Sequence, residues 1–353
     1  MQKKKILLAY NETNPELYVY KSDLQKSNLN FLPYFEIENS TPMEEFDIMA
    51  KVIENAGFDV ISLNLNDNFQ ILLDTLEREK PDAVFNCIEI FYGKAPLEMN
   101  LAGLFELLEV PYTGAPSLAL ANCQNKSLTK KILRENGIPT PLFEIAYTPE
   151  HPIALDCYPL IVKPIAEDAS AGIENASVVH SPEQLRSRVE YVHDEFKQPA
   201  LVEQFIAGRE LNVSVLGGTN PRVLPISEID FSKMPDHLEK IVSYQAKWDS
   251  LHEAYHRTIP ICPAILPDEV RLHVEEIALQ VYHIMELRDY CRVDIRVNSD
   301  FEPFVLEANP NPDLSEGAGF MRSAEAAGYT YQSMIKHIID LALARKTTGS
   351  FTN

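Results

Sequence analysis

The chain has 353 residues, 45% of them hydrophobic, and carries 31 lysines and arginines against 52 aspartates and glutamates, a formal net charge of -21. Such a length fits two or three packed units better than one small core. The charge argues against nucleic-acid and anionic-membrane partners, because both would repel the surface as a whole, although a local Lys/Arg cluster can still hold phosphates.

In chain order, Met1–Ala9 has a basic head but an apolar run shorter than the roughly 7–15 residues of a signal peptide. Ile6–Tyr10 therefore reads as a first strand. Met43–Ala56 reads as a helix, Asp59–Leu63 as a strand, Phe69–Lys80 as a helix, Ala83–Cys87 as a buried strand and Leu97–Leu108 as a helix. Strand–helix alternation of this kind predicts a parallel α/β sheet with right-handed crossovers. No G-x-G-x-x-G follows the first strand, so a dinucleotide site is unsupported.

From Asn122 the texture changes. Lys126–Asn136 reads as a basic helix stopped by Gly137, Pro139 and Pro141. Pro159–Lys163 reads as a strand, followed by the small-residue loop Ala166–Gly172 and a strand near Ala176–Val179. Ser181 caps a helix with Pro182 at its first position and Gln184 completing a capping box. Ala200–Phe205, Leu211–Leu216 and Arg222–Ile229 read as strands, and Asp268–Met285 as a long amphipathic helix. No stretch approaches the roughly 18 apolar residues of a membrane span. Five cysteines without a C-x-x-C pair fit reduced thiols in a cytoplasmic protein. His252, His256 and His273 lack metal-ligand spacing, and no G-x-S-x-G elbow occurs.

The segment Asp289–Asn309 carries the clearest chemistry. Cys291–Val297 alternates, so Arg292, Asp294 and Arg296 share one face. Pro303–Asn309 alternates with Glu307 and Asn309 on one face. A hairpin turning near Asp300-Phe301 sets Asp294 opposite Glu307 and Arg292 opposite Asn309. Facing carboxylates are destabilising unless a cation lies between them, and the oxygen donors of Asp294, Glu307 and Asn309 suit magnesium with phosphate oxygens. From this hairpin alone, a solvated face of mixed charge is an equal reading.

Other segments decide between the two. Lys163-Pro164, Ser170-Ala171-Gly172, Glu203–Ile206, Gly208–Glu210, Leu224–Glu228, Tyr244–Lys247, Arg292–Asp294 and Glu307–Asn309 stand in the order and spacing of one family. The stretch from about 122 to 343 thereby resembles the ATP-grasp ligases, and among them the D-alanine–D-alanine ligase group; upstream, Leu107–Gly114 and Asn125-Lys126 resemble it more loosely. The resemblance implies an α/β (α+β) ATP-grasp fold with an N-terminal Rossmann-like parallel-sheet domain. The expected divisions are 1–121 for the substrate-side domain, 122–206 for the central subdomain, 207–345 for the C-terminal subdomain with the metal site, and 346–353 for a tail.

It also implies roles. Lys126 and Lys163 contact ATP phosphates as point charges. The loop Glu167–Gly172 closes over them, with Ser170 its only hydroxyl, because Ala169 and Ala171 stand where the family often has Gly, Ser or Val. Glu203, Phe205 and Ile206 line an adenine pocket, and Glu210 accepts from the ribose hydroxyls. Lys247 lies near the phosphates. Arg292 stabilises charge on the activated carboxylate, its rival reading being a salt bridge to Asp294. ATP and Mg2+ are expected, with Mn2+ as an alternative ion and two ions in the site. The reaction implied is amide formation between a carboxylate and an amine through an acyl phosphate.

The substrate end departs from the D-alanine ligases, which carry Ser–Glu after the first strand and Ser-Pro-Gly followed by Ser after the metal residues. Here those places hold Asn11–Glu16 and Pro310–Gly317. A different substrate pair is therefore expected, with Asp313, Ser315 and Glu316 toward the amine, and Asn86, Glu89 and Tyr92 toward the first substrate at the strands' carboxyl ends. The expected partners are these small molecules, with neither nucleic acid nor membrane, and a homodimer is the expected assembly. Four rivals remain at this level: an authentic D-alanine–D-alanine ligase, a phosphoryl-transfer enzyme, a carboxylating relative and an idle ATP-binding module.

Overall fold

The computed structural model describes residues 3–13, 31–35, 42–167 and 169–348. Parallel strands β1 (Lys5–Tyr10), β2 (Asp59–Asn64) and β3 (Ala83–Cys87) form the first sheet in the order β2-β1-β3, with α1 (Pro42–Asn55) and α2 (Phe69–Glu79) in the crossovers. Alternation along β1 sends Ile6, Leu8 and Tyr10 against Met49 and Ile53 of α1, and Leu7 and Ala9 against Leu72 and Leu76 of α2. Both faces are covered, which is why the strand reads as an unbroken apolar run. Beyond β3, Tyr112 bridges in parallel to Val84. Helices α3 (Glu98–Leu107), α4 (Ser117–Gln124) and α5 (Lys126–Glu135) follow. The Asn125 side chain accepts from Leu128 N at 3.0 Å, an N-cap that starts α5 at Lys126 and fixes that lysine in its first turn.

The second sheet is antiparallel, in the order β4-β7-β5-β6, from β4 (Phe143–Ala146), β5 (Leu160–Pro164), β6 (Val178–Val179) and β7 (Ala200–Gln204). Helix α6 (Pro182–Phe196) lays Leu185, Val189 and Val192 over Leu160, Val162, Ala200 and Val202. Two expectations change here. The strand expected near Ala176–Val179 is confined to its second half, β6, because Asn175–Ser177 form a 3-10 turn leading into it. Gln184 does not complete the capping box at Ser181; its side chain reaches one residue further, to His180 N at 2.7 Å.

The third sheet runs β11-β10-β8-β12-β13, from β8 (Arg209–Leu216), β9 (Arg222–Val223, beside β8), β10 (Ser227–Asp230), β11 (Ile259–Ile261), β12 (Tyr290–Val297) and β13 (Pro303–Asn309). The single strand expected over Arg222–Ile229 splits into β9 and β10 because Pro225, lying between them, has no N–H for the ladder. Between β10 and β11 lie the short helices α7 (Tyr244–Trp248) and α8 (Glu253–Arg257). Helix α9 (Asp268–Ile284) covers one face through Val270, Val274, Ile277, Ala278 and Val281, packed with Leu211, Val213, Val293, Ile295, Val305 and Ala308. The alternate residues of the same strands therefore make the opposite face polar: Glu210, Asn212 and Ser214 on β8, Arg292, Asp294 and Arg296 on β12, Glu307 and Asn309 on β13. Helix α10 (Gly319–Ala326) packs beside β8 and β10.

Helix α11 (Tyr331–Thr348) returns to the first sheet, burying Ile335, Ile338, Ile339 and Ala342 with Ile6 and Leu8. It runs to Thr348, so the expected tail from 346 begins as helix, and residues 349–353 lie outside the described residues. Asn14, Pro15 and Glu16, in the segment that stands where the D-alanine ligases have Ser–Glu, and Asp168 of the loop also lie outside them. No disulfide links the five cysteines, and no described helix is long and apolar enough to cross a membrane.

Candidate active site

The hairpin β12–β13 has the register read from its alternation: Asp294 faces Glu307 and Arg292 faces Asn309, with a bulge after Asp294. Arg292 holds Asp294 with two bonds, Nε to Oδ1 at 2.7 Å and Nη2 to Oδ2 at 2.8 Å. Asn212 Nδ2 donates to Oδ1 at 2.8 Å, and Asn309 Nδ2 donates to Oδ2 at 3.0 Å. Lys126 reaches from α5 to Glu307 Oε2 at 3.1 Å. Burial drives the Asp294 carboxyl above its ordinary range despite Arg292, and the neighbouring Glu307 and Glu210 carboxylates add to that rise. Glu307 goes the other way: burial would raise it, but Lys126, Lys163 and Arg292 hold it well below the carboxylate range.

This donor set fits a hard divalent cation. Two carboxylates and an amide oxygen converge, one carboxyl is crowded by like charge, and an intrinsic lysine supplies the positive charge at the other. Asn309 now turns its amide nitrogen toward both carboxylates, so offering its oxygen requires a rotation of that amide.

Beside the pair lies a cavity of about 40 Å3, lined by Lys126, Lys163, Pro164, Glu167, Ala169, Ser170, Ala171, Ile173 and Glu307. Three of the expected phosphate and metal contacts thus meet the expected closing loop. The space suits a few waters rather than a triphosphate, so the loop lies down over the lysines. Ala169 and Ser170 both take left-handed backbone, at φ 52° and 63°. Gly172, at φ 72°, is required twice over, because a Cβ there would come 2.5 Å from Pro164 Cγ. The loop is tied to the chain around α7: Ser170 Oγ donates to Val242 O at 2.9 Å, Trp248 Nε1 to Ala169 O at 2.9 Å, and Tyr244 N to Ile173 O at 2.7 Å. Lys247 lies over the Trp248 ring, 5.0 Å from its centre, and does not line the cavity.

Glu203, expected at an adenine wall, places its carboxylate between two lysines. It is 1% exposed, ion-paired to Lys163 at 2.5 Å and to Lys130 on its other oxygen. Burial alone would raise this carboxyl, but Lys130 and Lys163 bring it below its ordinary value, while burial pushes the Lys130 ammonium down. Lys130 also donates to Thr140 Oγ1 at 2.8 Å. Phe205 packs in a small apolar cluster with Ile161, Ile173, Val178 and Ile241, and Ile206 is buried beside it. Arg296 lies 4.8 Å from the Phe205 ring centre, donates to Ile206 O at 2.9 Å, and grips Glu210 Oε2 through Nε at 3.0 Å and Nη2 at 2.7 Å. Lys130 was outside the sequence reading; Arg296 was placed on the right face without its partner.

At the far end, Asp313 Oδ1 accepts from Ser315 N at 2.8 Å and Ser315 Oγ at 2.7 Å. Ser315 Oγ also lies 3.3 Å from Glu45 Oε2. Glu89 and Glu316 are exposed. The four acids share one neighbourhood. Burial raises the Cys87 thiol and Tyr331 hydroxyl; Glu89 and Asp313 push the thiol further, and Asp313, Glu316 and Glu45 push the hydroxyl. Tyr92 is exposed, whereas Asn86 is buried and accepts from Ile88 N at 3.3 Å, a turn contact. Asn311, unnoticed in the sequence, ties this segment to α3 through Glu98 Oε1 at 2.9 Å, and accepts from Ala115 N at 2.8 Å.

The family model described as "D-ala D-ala ligase C-terminus" matches residues 146–340. A Sinorhizobium fredii protein named y4sG and described as uncharacterized is 33% identical over 85% of this chain and 87% of its own length. A D-alanine--D-alanine ligase of Carboxydothermus hydrogenoformans is 31% identical over 87% of this chain and 95% of its own. Among solved structures, the Bacillus anthracis D-alanine--D-alanine ligase complexed with ATP aligns with a TM-score of 0.72 at 21% identity, over 99% of this chain and all of that one.

Proposed function

This chain belongs to the D-alanine–D-alanine ligase family of ATP-grasp, ATP-dependent C–N ligases, and from that premise we propose that it joins a carboxylate to an amine other than the D-alanine pair. The observation that carries the reading is the convergence of Lys126, Lys163 and Glu307 on one cavity under the Ala169–Ser170 loop, beside Asp294 and Asn309.

In this reading Lys126 and Lys163 receive the ATP phosphates, and Glu203, with Lys130 behind it, holds Lys163 in place. Phe205, Ile206 and the apolar cluster take adenine, and Glu210, oriented by Arg296, takes the ribose. Asp294, Glu307 and Asn309 would hold Mg2+, which neutralises phosphate charge when bound. A substrate carboxylate oxygen attacks the γ-phosphorus, the bond to the β-phosphate oxygen breaks, and ADP leaves. The amine nitrogen then attacks the carbonyl of the acyl phosphate, a C–N bond forms, phosphate departs and the amine loses a proton. Arg292 stabilises the oxyanion. The Ala169–Gly172 loop, with Trp248 bonded to it and Lys247 over the Trp248 ring, keeps water from the acyl phosphate.

The different substrate pair rests on Pro310–Gly317, where Asp313, Ser315 and Glu316 suit an ammonium group, with Glu89 in the same neighbourhood. ADP release in pools of amino acids and dipeptides, read with mass detection of adducts, tests the reading. An adduct equal to two substrates less one water is expected. Phosphate appearing on the product instead of in solution would assign phosphoryl transfer. A homodimer is part of the same proposal, checked by light scattering.

A further inference from the structure

The chain that leaves β13 for α10 is held by a side chain. Pro310 and Pro312 have no N–H, so Asn311 N is the only backbone donor between Asn309 and Asp313. The Asn311 amide ties this stretch down through both of its ends. Its Oδ1 accepts from Ala115 N at 2.8 Å, and its Nδ2 donates to Glu98 Oε1 at 2.9 Å. Gly114 leaves the room for it, since a Cβ there would come 2.3 Å from Asn311 Oδ1. That berth is itself fixed: Gly114 N donates to Asp289 Oδ2 at 2.9 Å, and Gly114 O accepts from Arg288 Nε at 2.8 Å.

Glu98, in the first turn of α3 and 7% exposed, gives its other oxygen to α4: Oε2 accepts from Gln124 Nε2 at 2.8 Å. The same nitrogen donates to Ala95 O at 3.0 Å, while Gln124 Oε1 is buried without a hydrogen-bond partner. The amide is thus turned to serve two acceptors and leaves its own oxygen unanswered. Gln124 ends α4, Asn125 caps α5, and Lys126 follows, ion-paired at 3.1 Å with Glu307 on β13. A closed circuit results. Glu307 and Asn311 stand four residues apart on one stretch of chain, Gln124 and Lys126 two apart on another, and Glu98 spans the open side.

We infer that Asn311, through Glu98 and Gln124, is a positioning residue for the amine: the relay holds Pro310–Gly317 in register with Lys126, so that the amine meets the acyl phosphate. The inference rests on the acyl-transfer reading above, in which Asp313, Ser315 and Glu316 seat the amine and Lys126 the phosphates. A misplacement of about 1 Å between reacting groups costs on the order of 100-fold in rate. β13 ends at Asn309, and the tie at Asn311 keeps the chain beyond it from swinging by that much. Both direct partners of Asn311 lie on α3 and on the turn before α4, away from the cavity proposed for the phosphates. Loosening the tie therefore falls on the second half of the reaction, where water takes the acyl phosphate in place of the amine.

The test is a pair of isosteric substitutions and their combination, folding of each checked by circular dichroism. Asn311→Asp keeps an acceptor for Ala115 N but sets a carboxylate against Glu98. Glu98→Gln offers one oxygen and one nitrogen to two N–H donors. In the double variant the pieces fit again, because the amide introduced at 98 donates to the carboxylate introduced at 311 and accepts from Gln124 Nε2. The probe is the amine that forms an adduct in the pooled amino-acid and dipeptide assay. Asn311→Asp should lower kcat/KM for it by about 10- to 100-fold and raise the ADP released per adduct, with ATP KM unmoved. The double variant should recover most of both losses. Unchanged amine kcat/KM and coupling in folded Asn311→Asp, a matching shift in ATP KM, or no recovery in the double variant overturns the inference and leaves the ligase reading standing. Asn311→Ser, which removes the bond to Glu98 without adding charge, is held to the same outcomes should Asn311→Asp not fold. Absence of any adduct from wild type sinks the ligase reading instead. Hydrogen exchange at the amides of Asn311, Asp313 and Leu314 then decides the relay alone: faster exchange in Asn311→Asp that the double variant restores supports it, and equal exchange in all three proteins refutes it.

Discussion

The two ends of the polar sheet face handle charge in opposite ways. At the end proposed for the nucleotide, acids and bases are interleaved: Glu203 with Lys130 and Lys163, Glu210 with Arg296, Glu307 with Lys126, Asp294 with Arg292. At the end proposed for the substrates they are segregated, with Glu45, Glu89, Asp313 and Glu316 on one side and Arg322 on the other. Interleaving holds a site ready while its ligand is away, because each buried charge keeps a partner. Segregation leaves a field that a complementary substrate completes, and in the function proposed above selectivity resides there.

That contrast can be broken from the nucleotide side first. Glu307→Ala removes a carboxylate that faces both the cavity and Asp294, and turnover should fall about 1000-fold or more, since charge neutralisation at phosphate supplies several kcal/mol of the barrier. Activity within tenfold of wild type in the ADP assay would remove Glu307 from the metal site.

Glu203→Gln comes next. It leaves two buried lysines facing each other and should cost about 3–5 kcal/mol of stability, read by denaturant unfolding at neutral pH. The pH dependence has a definite sign. The folded Glu203 carboxyl lies below its unfolded value, so its contribution is present above about pH 4.3 and fades as pH falls through the folded value. The gap between wild type and variant should shrink under acid; a gap constant from pH 7 to pH 3.5 contradicts the ion-pair account.

The smallest effect concerns the loop. Trp248→Phe removes the bond to Ala169 O, worth about 1 kcal/mol, and loosens the cover. The expected signature is a several-fold rise in ADP released per adduct formed, with ATP KM little changed. Tight coupling in that variant would make Trp248 a packing residue only.

The parallel strands and the β12–β13 register were legible because alternation in a strand depends only on neighbours in sequence. Period-2 spacing alone sets Asp294 across from Glu307. The Lys130–Glu203–Lys163 cluster was not legible, since it joins a helix to two adjacent strands whose order no local pattern states. Arg296 illustrates the same boundary: alternation put it on the polar face, but Glu210 becomes its partner only once β8 lies beside β12. Short helices such as α7 and α8 were missed because five residues give too little periodicity to register. Arg322 carries no signal in the sequence. Its place beside Arg292 depends on α10 folding back over β10, which tertiary packing alone decides.

We propose that the nucleotide chemistry is the family's while the substrate pair is not. The most direct test is ADP release with D-alanine as the only amino acid, run beside pools of other amino acids and dipeptides, both followed by adduct mass. Background ADP release with D-alanine and an ATP-dependent amide adduct from the pools are expected. D-alanyl-D-alanine formed at ordinary turnover, with no adduct from the pools, would refute the different substrate pair.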